Sequence, residues 1–404
     1  MLNVIRNRPL SGFMFGHLSN DMFMGVLTAL LPILKSEYHL SNAQIGVIAL
    51  VQSGSGSLFQ PLFGLVADRI RLRLFVPIIV LWDSACVAGF GFAGSERHLL
   101  VFAVLLGVGS AAFHPYGASG AAHASEPETL NAALSAYTVA GTAGYAIGPV
   151  IATLFIAIFG KHGTLGFLPI GLAAAVLIAS RSSGRESPSH GHAHRAANTD
   201  SPTEWGKLAR IIGIVMVRSW VYLALLNLLP IHYKELGFRL GFYNSLPTIM
   251  ILAGGFGTLI GGRLADSVSG KRIIIGSQLL TVIPVIICAR IDASPVIVFL
   301  VLFGLFSDSS LSLTLIAAQR LLPGRTGLAS GVILGLGFVS GSLGVPLTGA
   351  LADRTSIGFA LTCAAMLAFV AVALTATIPS AIFQFSRRSA PRDRVMIKPT
   401  EGTA

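Results

Sequence analysis

The chain is written as long apolar runs separated by short polar breaks, and that alternation limits its fold more than any other feature. A run of roughly 20 apolar residues is long enough to cross the hydrocarbon of a bilayer as a helix. Twelve such runs occur, near 11–34, 42–66, 74–94, 98–122, 130–159, 163–181, 207–232, 241–265, 272–291, 295–320, 327–351 and 356–380. In lipid the backbone N–H and C=O groups must be satisfied within the protein, so runs of this length fold as helices rather than as open sheet. Composition points the same way. The apolar set makes up 53% of the residues and charged side chains only 11%, where a water-soluble domain carries roughly 25% charged residues. The expected fold is an all-α integral membrane protein of twelve transmembrane helices.

The net charge of +11 would suggest a nucleic-acid partner in a soluble protein; in a membrane protein the distribution of the charge matters more. With the amino terminus in the cytoplasm, Arg6, Arg8, Arg69, Arg71, Arg73, Arg263, Lys271, Arg272, Arg320 and the basic tail share that side. The other side keeps Lys35, Arg97, Lys161, Lys234, Arg239, Arg290 and Arg354, and Arg218 lies inside a run. The positive-inside rule then places both termini in the cytoplasm. Nucleic acid is not an expected partner; lipid is. Cys86, Cys288 and Cys363 fall within apolar runs at no ligand-like spacing, so neither a disulfide framework nor a metal site is expected. Arg6 and Arg8 before an apolar run have the outline of a signal peptide. The run continues to about residue 34, contains Asp21 and lacks a small-x-small cleavage site, which reads as a retained first helix.

Residues 182–206 break the pattern with Ser, Pro, Asn, Arg and the alternating His190, His192 and His194. Alternating histidines can capture a transition metal, but the composition fits a solvated connector of low complexity better. It divides the chain into a six-helix half over 1–181 and another over 207–380, followed by a basic cytoplasmic tail, 381–404, suited to anionic headgroups. Internal duplication supports the division. Gly64-Leu-Val-Ala-Asp68-Arg69-Ile-Arg71-Leu-Arg73 is echoed by Gly262-Arg-Leu-Ala-Asp266-Ser-Val-Ser-Gly270-Lys271-Arg272. A glycine four residues before an aspartate suits a helix end pressed against a neighbour. The carboxylate opposes its own helix dipole, so arginines or the N-terminus of another helix should hold it, which makes each copy a gating latch. A third form, Gly349-Ala-Leu-Ala-Asp353-Arg354, falls at the opposite end of its run, as inverted repeats would produce. Gly141, Gly144, Gly148 and Pro149 in the fifth run correspond to Gly337, Gly341, Gly344 and Pro346 in the eleventh. Small residues permit close approach and prolines permit bends, so these helices are expected to slide or flex.

An ionisable group at mid-membrane costs on the order of 2.5 to 3.5 kcal/mol, which makes such residues the functional candidates. Asp21 lies about ten residues into the first run, roughly 15 Å deep at 1.5 Å per residue. His17 shares its face one turn earlier and Asn20 adjoins it. Burial disfavours the charged acid and imidazole titrates near neutrality, so Asp21 and His17 can load and release a proton; the alternative is a pair that only braces helices. Arg218 sits mid-depth in the seventh run, the counterpart of the first, and needs an acid or an anionic substrate. Asp21, Asp83 in the third run and Asp308 in the tenth are all candidate partners. Arg218, Asp83, Asp308, Asn20 and the His114-Pro115 pair are candidates to line a substrate cavity, the alternatives being structural pairing for the two acids and a simple bend for the His-Pro pair.

The duplicated Gly-x-x-x-Asp-x-x-x-Arg/Lys signature resembles the loop between the second and third helices of each half in the major facilitator superfamily. Gly144-x-x-x-Gly148-Pro149 resembles the end of a signature found in that superfamily's drug/proton antiporters, whose upstream part is missing here. Further strings are more specific: His17-Leu-Ser-Asn20-Asp21, Phe59-Gln60-Pro61-Leu-Phe-Gly64, Gly109-Ser-Ala-Ala-Phe113-His114-Pro115 and Leu321-Leu-Pro323-Gly324-Arg325-Thr-Gly327 are similar to the bacterial fosmidomycin resistance proteins, a branch of it. The similarity runs through most of the chain. It implies two pseudo-symmetric six-helix halves and a monomeric inner-membrane exporter, driven by the proton gradient without a cofactor, that removes a phosphonate antibiotic or another small compound. An acidic residue is expected after the His-Pro pair in close relatives, and here it is Tyr116, which joins the cavity candidates; Asp83 and Asp308 also depart from the pattern. The exported compound is therefore open. There is no Gly-x-x-x-x-Gly-Lys-Ser/Thr loop for ATP and no nucleophile triad, so enzymatic turnover is not expected. An uptake symporter on the same fold and a non-transporting membrane sensor are the competing readings.

Overall fold

A computed structural model describes residues 7–69, 74–126, 129–181, 204–322, 333, 335 and 337–384, and every regular element among them is helical. The first helix, α1 (Arg8–Glu37), begins where the Asn7 side chain accepts the Leu10 N–H at 3.1 Å and a proline takes the first turn. In α2 (Asn42–Leu58) the cap is reciprocal: Ser41 Oγ accepts from Gln44 N–H at 3.1 Å while Gln44 Oε1 accepts from Ser41 N–H at 2.8 Å. Next come α3 (Gln60–Arg69), α4 (Phe75–Phe90), α5 (Glu96–His123), α6 (Leu130–Phe159) and α7 (Phe167–Arg181). The second half holds α8 (Trp205–Glu235), α9 (Leu240–Leu264), α10 (Gly270–Cys288), α11 (Val296–Asp308), α12 (Leu311–Leu321), α13 (Gly337–Arg354), α14 (Ile357–Met366) and α15 (Ala368–Ala376).

A helix occupies each of the twelve expected runs. Three runs are interrupted: at Phe59 between α2 and α3, at Ser309-Ser310 between α11 and α12, and at Leu367 between α14 and α15. Eight helical stretches among the described residues are long and apolar enough to cross a membrane, and one of them, Ala132–Arg181, covers two expected runs. α8 begins at Trp205, taking in two residues assigned to the connector. The three connector histidines and the tail from residue 385 lie outside the described residues.

Enclosure separates the central helices from the peripheral ones. The apolar windows of α1 and α8 are 78% and 67% buried, and none of the others exceeds 56%. The first helix of each half is therefore surrounded by protein, and its polar residues face other helices rather than lipid. The glycine rows explain how neighbours come so close. A Cβ on Gly144 or Gly148 would lie 2.0 Å from the Leu18 carbonyl oxygen or 2.3 Å from that of Met22, so α6 lies directly on α1. In the other half Gly341 and Gly344 of α13 press on Ser219 and Trp220 of α8 in the same way.

The two halves are tied at the end away from the chain termini. Gly46 of α2 meets Pro346 of α13, where a Cβ would come within 2.4 Å of the proline Cα. Asp353, at the end of α13, accepts from the first two N–H groups of α2, Asn42 at 2.7 Å and Ala43 at 3.0 Å. This contact of a carboxylate with a helix N-terminus is made across the halves by the third copy of the motif, whereas the sequence assigned the gating latch to the first two. Lys35 pairs with Glu235, and Lys234 donates to the Pro32 carbonyl at 2.6 Å and to Ser36 Oγ at 2.5 Å.

The termini-bearing end looks different. A Cβ on Gly64 or on Gly262 would meet nothing within 4 Å. Asp266 and Arg272 are exposed, and Lys271 donates to the Ala376 and Ile378 carbonyls of its own half at 2.8 and 2.7 Å. Arg73 and the side chains of Asp68 and Arg69 lie outside the described residues.

Candidate functional site

Two charge clusters, each partly buried among helices, occupy equivalent places in the two halves. In the first half, His17 and Asp21 stand one turn apart on α1, with His17 Nε2 3.3 Å from Asp21 Oδ2. His114 comes in from α5 with its Nε2 3.9 Å from Asp21 Oδ1. Asn20 Nδ2 donates to the same Asp21 oxygen at 2.8 Å and to Ser110 Oγ at 3.4 Å, and Ser110 in turn lies 3.3 Å from His114 Nε2. Gly141 of α6 leaves the room for this pair, since a Cβ there would lie 2.4 Å from the His17 ring and 2.7 Å from Asp21 Oδ2.

The backbone fixes the chemistry of His17. Its Nδ1 lies 2.8 Å from the Tyr137 carbonyl oxygen, and its ring stacks on the Tyr137 ring with centroids 4.1 Å apart. A carbonyl only accepts, so Nδ1 carries a hydrogen. Neutral imidazole then presents the Nε2 lone pair to a carboxylate oxygen 3.3 Å away. Two electron pairs facing each other repel, so the contact requires a cation between them. The ligand atoms of His17, Asp21 and His114 lie within 4.8 Å of one another, close enough to share one small cation.

The second half carries the reverse arrangement. Arg218 on α8 donates from Nη1 to Asp308 Oδ1 of α11 at 2.8 Å, and only 5% of the arginine is exposed. The base is on the first helix of the half and the acid on the fourth run. Asp308 has its place because Gly254 of α9 has no side chain, as a Cβ there would lie 2.4 Å from Oδ2. Among the described residues the expected alternative, Asp21 with Arg218, is not formed: each is held within its own half.

Asp83 and Tyr116 lie elsewhere. Asp83 of α4 is fully buried, wedged against Gly109 of α5, and neither carboxyl oxygen has a hydrogen-bond partner among the described residues. The Tyr116 ring is buried against Phe75, with centroids 4.1 Å apart. Two members of the cluster were missed from the sequence. Ser110 is one turn before His114 on the same helix face, and Tyr137 continues the row of Gly141, Gly144 and Gly148 at helical spacing. Both were findable by extending those faces.

Comparison with known proteins agrees with this architecture. The profile of the Major Facilitator Superfamily matches residues 13–345 and 211–394. The Fosmidomycin resistance protein of Escherichia coli (strain K12) is 31% identical over 354 residues, 86% of this chain and 87% of the relative. An uncharacterized MFS-type transporter, YfnC, of Bacillus subtilis (strain 168) is 30% identical over 353 residues, 84% and 85% of the two chains. Among solved structures, a bacterial homolog of the human lysosomal transporter Spinster, in an inward-facing and occupied conformation, superposes with a TM-score of 0.75 at 14% identity, covering 93% of this chain and 95% of that one. The nucleoside transporter NupG superposes with a TM-score of 0.71 at 14% identity, over 93% and 100%.

Proposed function

Because the chain belongs to the major facilitator superfamily, we propose that it is a secondary transporter working by alternating access, and specifically a proton-coupled exporter of small anionic compounds. The observation that carries this reading is the lone pair of His17 Nε2 facing the Asp21 carboxylate at 3.3 Å. A proton between them removes the repulsion, and its departure makes the contact unfavourable, so loading and unloading change how α1, α5 and α6 fit together. The energy source is the proton gradient, with no cofactor.

The ties between the halves supply the alternation. Asp353 ties the halves at the α2 end, and the open space beside Gly64 and Gly262 at the other end leaves room for the halves to rock together there. The two proline-bearing glycine rows allow that movement while keeping α6 on α1 and α13 on α8. The protein acts as a monomer in the bacterial inner membrane with both termini in the cytoplasm. Arg218 attracts an anion only if the anion displaces Asp308, which favours small solutes of concentrated negative charge. The name of the Escherichia coli relative makes fosmidomycin the first compound to try.

Proteoliposomes with an imposed pH gradient test the reading. Fosmidomycin flux opposite to the proton flux supports export by exchange. Flux in the same direction as the protons points to an uptake symporter, and no flux with any member of a solute panel removes transport altogether. A growth-inhibition panel in cells expressing the protein identifies the compounds worth loading.

A further inference from the structure

We propose that Asp83 is a second proton-binding site of the amino-terminal half, loaded in this conformation and separate from the His17–Asp21–His114 cluster. The carboxyl group is completely enclosed, and neither oxygen has a donor among the described residues. An ionised carboxylate without a partner in such a place is strongly unfavourable, and the group neutralises instead. Among the described residues the elements packed around it offer no countercharge. From α1 the facing charge is another acid, Asp21. On α4 itself the neighbour is Cys86, and the adjoining Trp82 spends its indole N–H on the Leu105 carbonyl at 2.9 Å. From α5 the contact is Gly109, and α7 reaches the adjoining residue, where Gly171 packs on Ser84.

The ligand is a proton rather than a larger ion because the carboxyl is enclosed without donors and the α5 side is filled by the helix backbone. A single Cβ on Gly109 would lie 1.9 Å from Asp83 Oδ1 and 3.0 Å from its Cγ. The next residue, Ser110, belongs to the polar chain through Asn20 to Asp21, so the two acids lie on either side of one turn of α5. Ionising both at once is unfavourable at that proximity. The seam between α4 and α5 has to part before the Asp83 proton can leave.

Infrared spectroscopy of the full-length protein in lipid, before and after transfer to heavy water, tests this. The expected result is a carboxylic-acid carbonyl band at neutral pH that exchanges slowly, is lost in Asp83→Asn and persists in Asp21→Asn. Gly109→Ala, which presses on the carboxyl, should shift or abolish the band, and it serves as the test if Asp83→Asn does not fold. Absence of such a band in the wild type, or a band indifferent to both substitutions, overturns the proposal.

Discussion

The two halves place their buried charges in mirror fashion, and the mirror is imperfect in an instructive way. Asp21 and His114 put an acid on the first helix and a base on the fourth run; Arg218 and Asp308 put the base on the first and the acid on the fourth. The bases differ in kind. Imidazole gains and loses a proton near neutrality, whereas guanidinium stays charged. The second pair is direct at 2.8 Å; the first is looser, at 3.3 and 3.9 Å, and shared among three groups. One half carries imidazoles beside its acid and the other a guanidinium that keeps its charge.

Replacing the titrating acid should have the largest effect on transport. Asp21→Asn removes the proposed proton site, and proton-driven flux should fall by on the order of a hundredfold or more while counterflow exchange continues. Driven transport surviving intact would erase the proposed distinction between the halves.

The fixed pair predicts a different signature, in stability. Asp308→Asn leaves Arg218 buried without its carboxylate and should cost about 3 to 5 kcal/mol in thermal or denaturant unfolding in detergent. Combining it with Arg218→Met should recover most of that loss, since no uncompensated charge then remains. A double variant as unstable as the single one would show that the pair does not act as a unit.

The histidines sharpen the first half. His17→Gln breaks both the Tyr137 contact and the closer approach to Asp21, so the pH profile of transport should shift and lose its neutral limb, with about tenfold loss at the optimum. His114 stands farther from the acid, so His114→Gln should move the profile less. Equal effects would place the proton between all three groups alike.

Smallest of all should be the change at Asp353. Asp353→Ala removes the acceptor for two N–H groups of α2, worth about 0.5 to 2 kcal/mol by analogy with helix caps. Both charge clusters stay intact, and the visible change should be greater labelling of a cysteine introduced in place of Ser342, which is buried where α13 meets Ser53 of α2. No change in labelling would mean that the tie does not hold that end closed.

Much of this was legible in the sequence, and the reasons differ by feature. Helices in lipid announce themselves because each needs its own apolar length, and the glycine rows announce their contacts because only missing side chains allow a backbone approach of the kind seen at Gly144 and Leu18. The His17–Asp21 contact followed from helical spacing alone. Partner choice did not: Arg218 faced three candidate acids, and the selection of Asp308 depends on the gap left by Gly254, a feature of how α9 packs rather than of any pattern along the chain. The enclosure of Asp83 behind Gly109 was hidden for the same reason. Which copy of the latch is engaged is a property of the conformational state, and no sequence carries it.

Proton release on solute binding tests the central claim most directly. Protein in weakly buffered detergent solution is mixed with a transported solute while the pH is followed, in wild type and in Asp21→Asn. The expected result is release of protons by the wild type and none by the variant, with solute binding retained in both. Equal release from the two would place the coupled proton somewhere other than between His17 and Asp21.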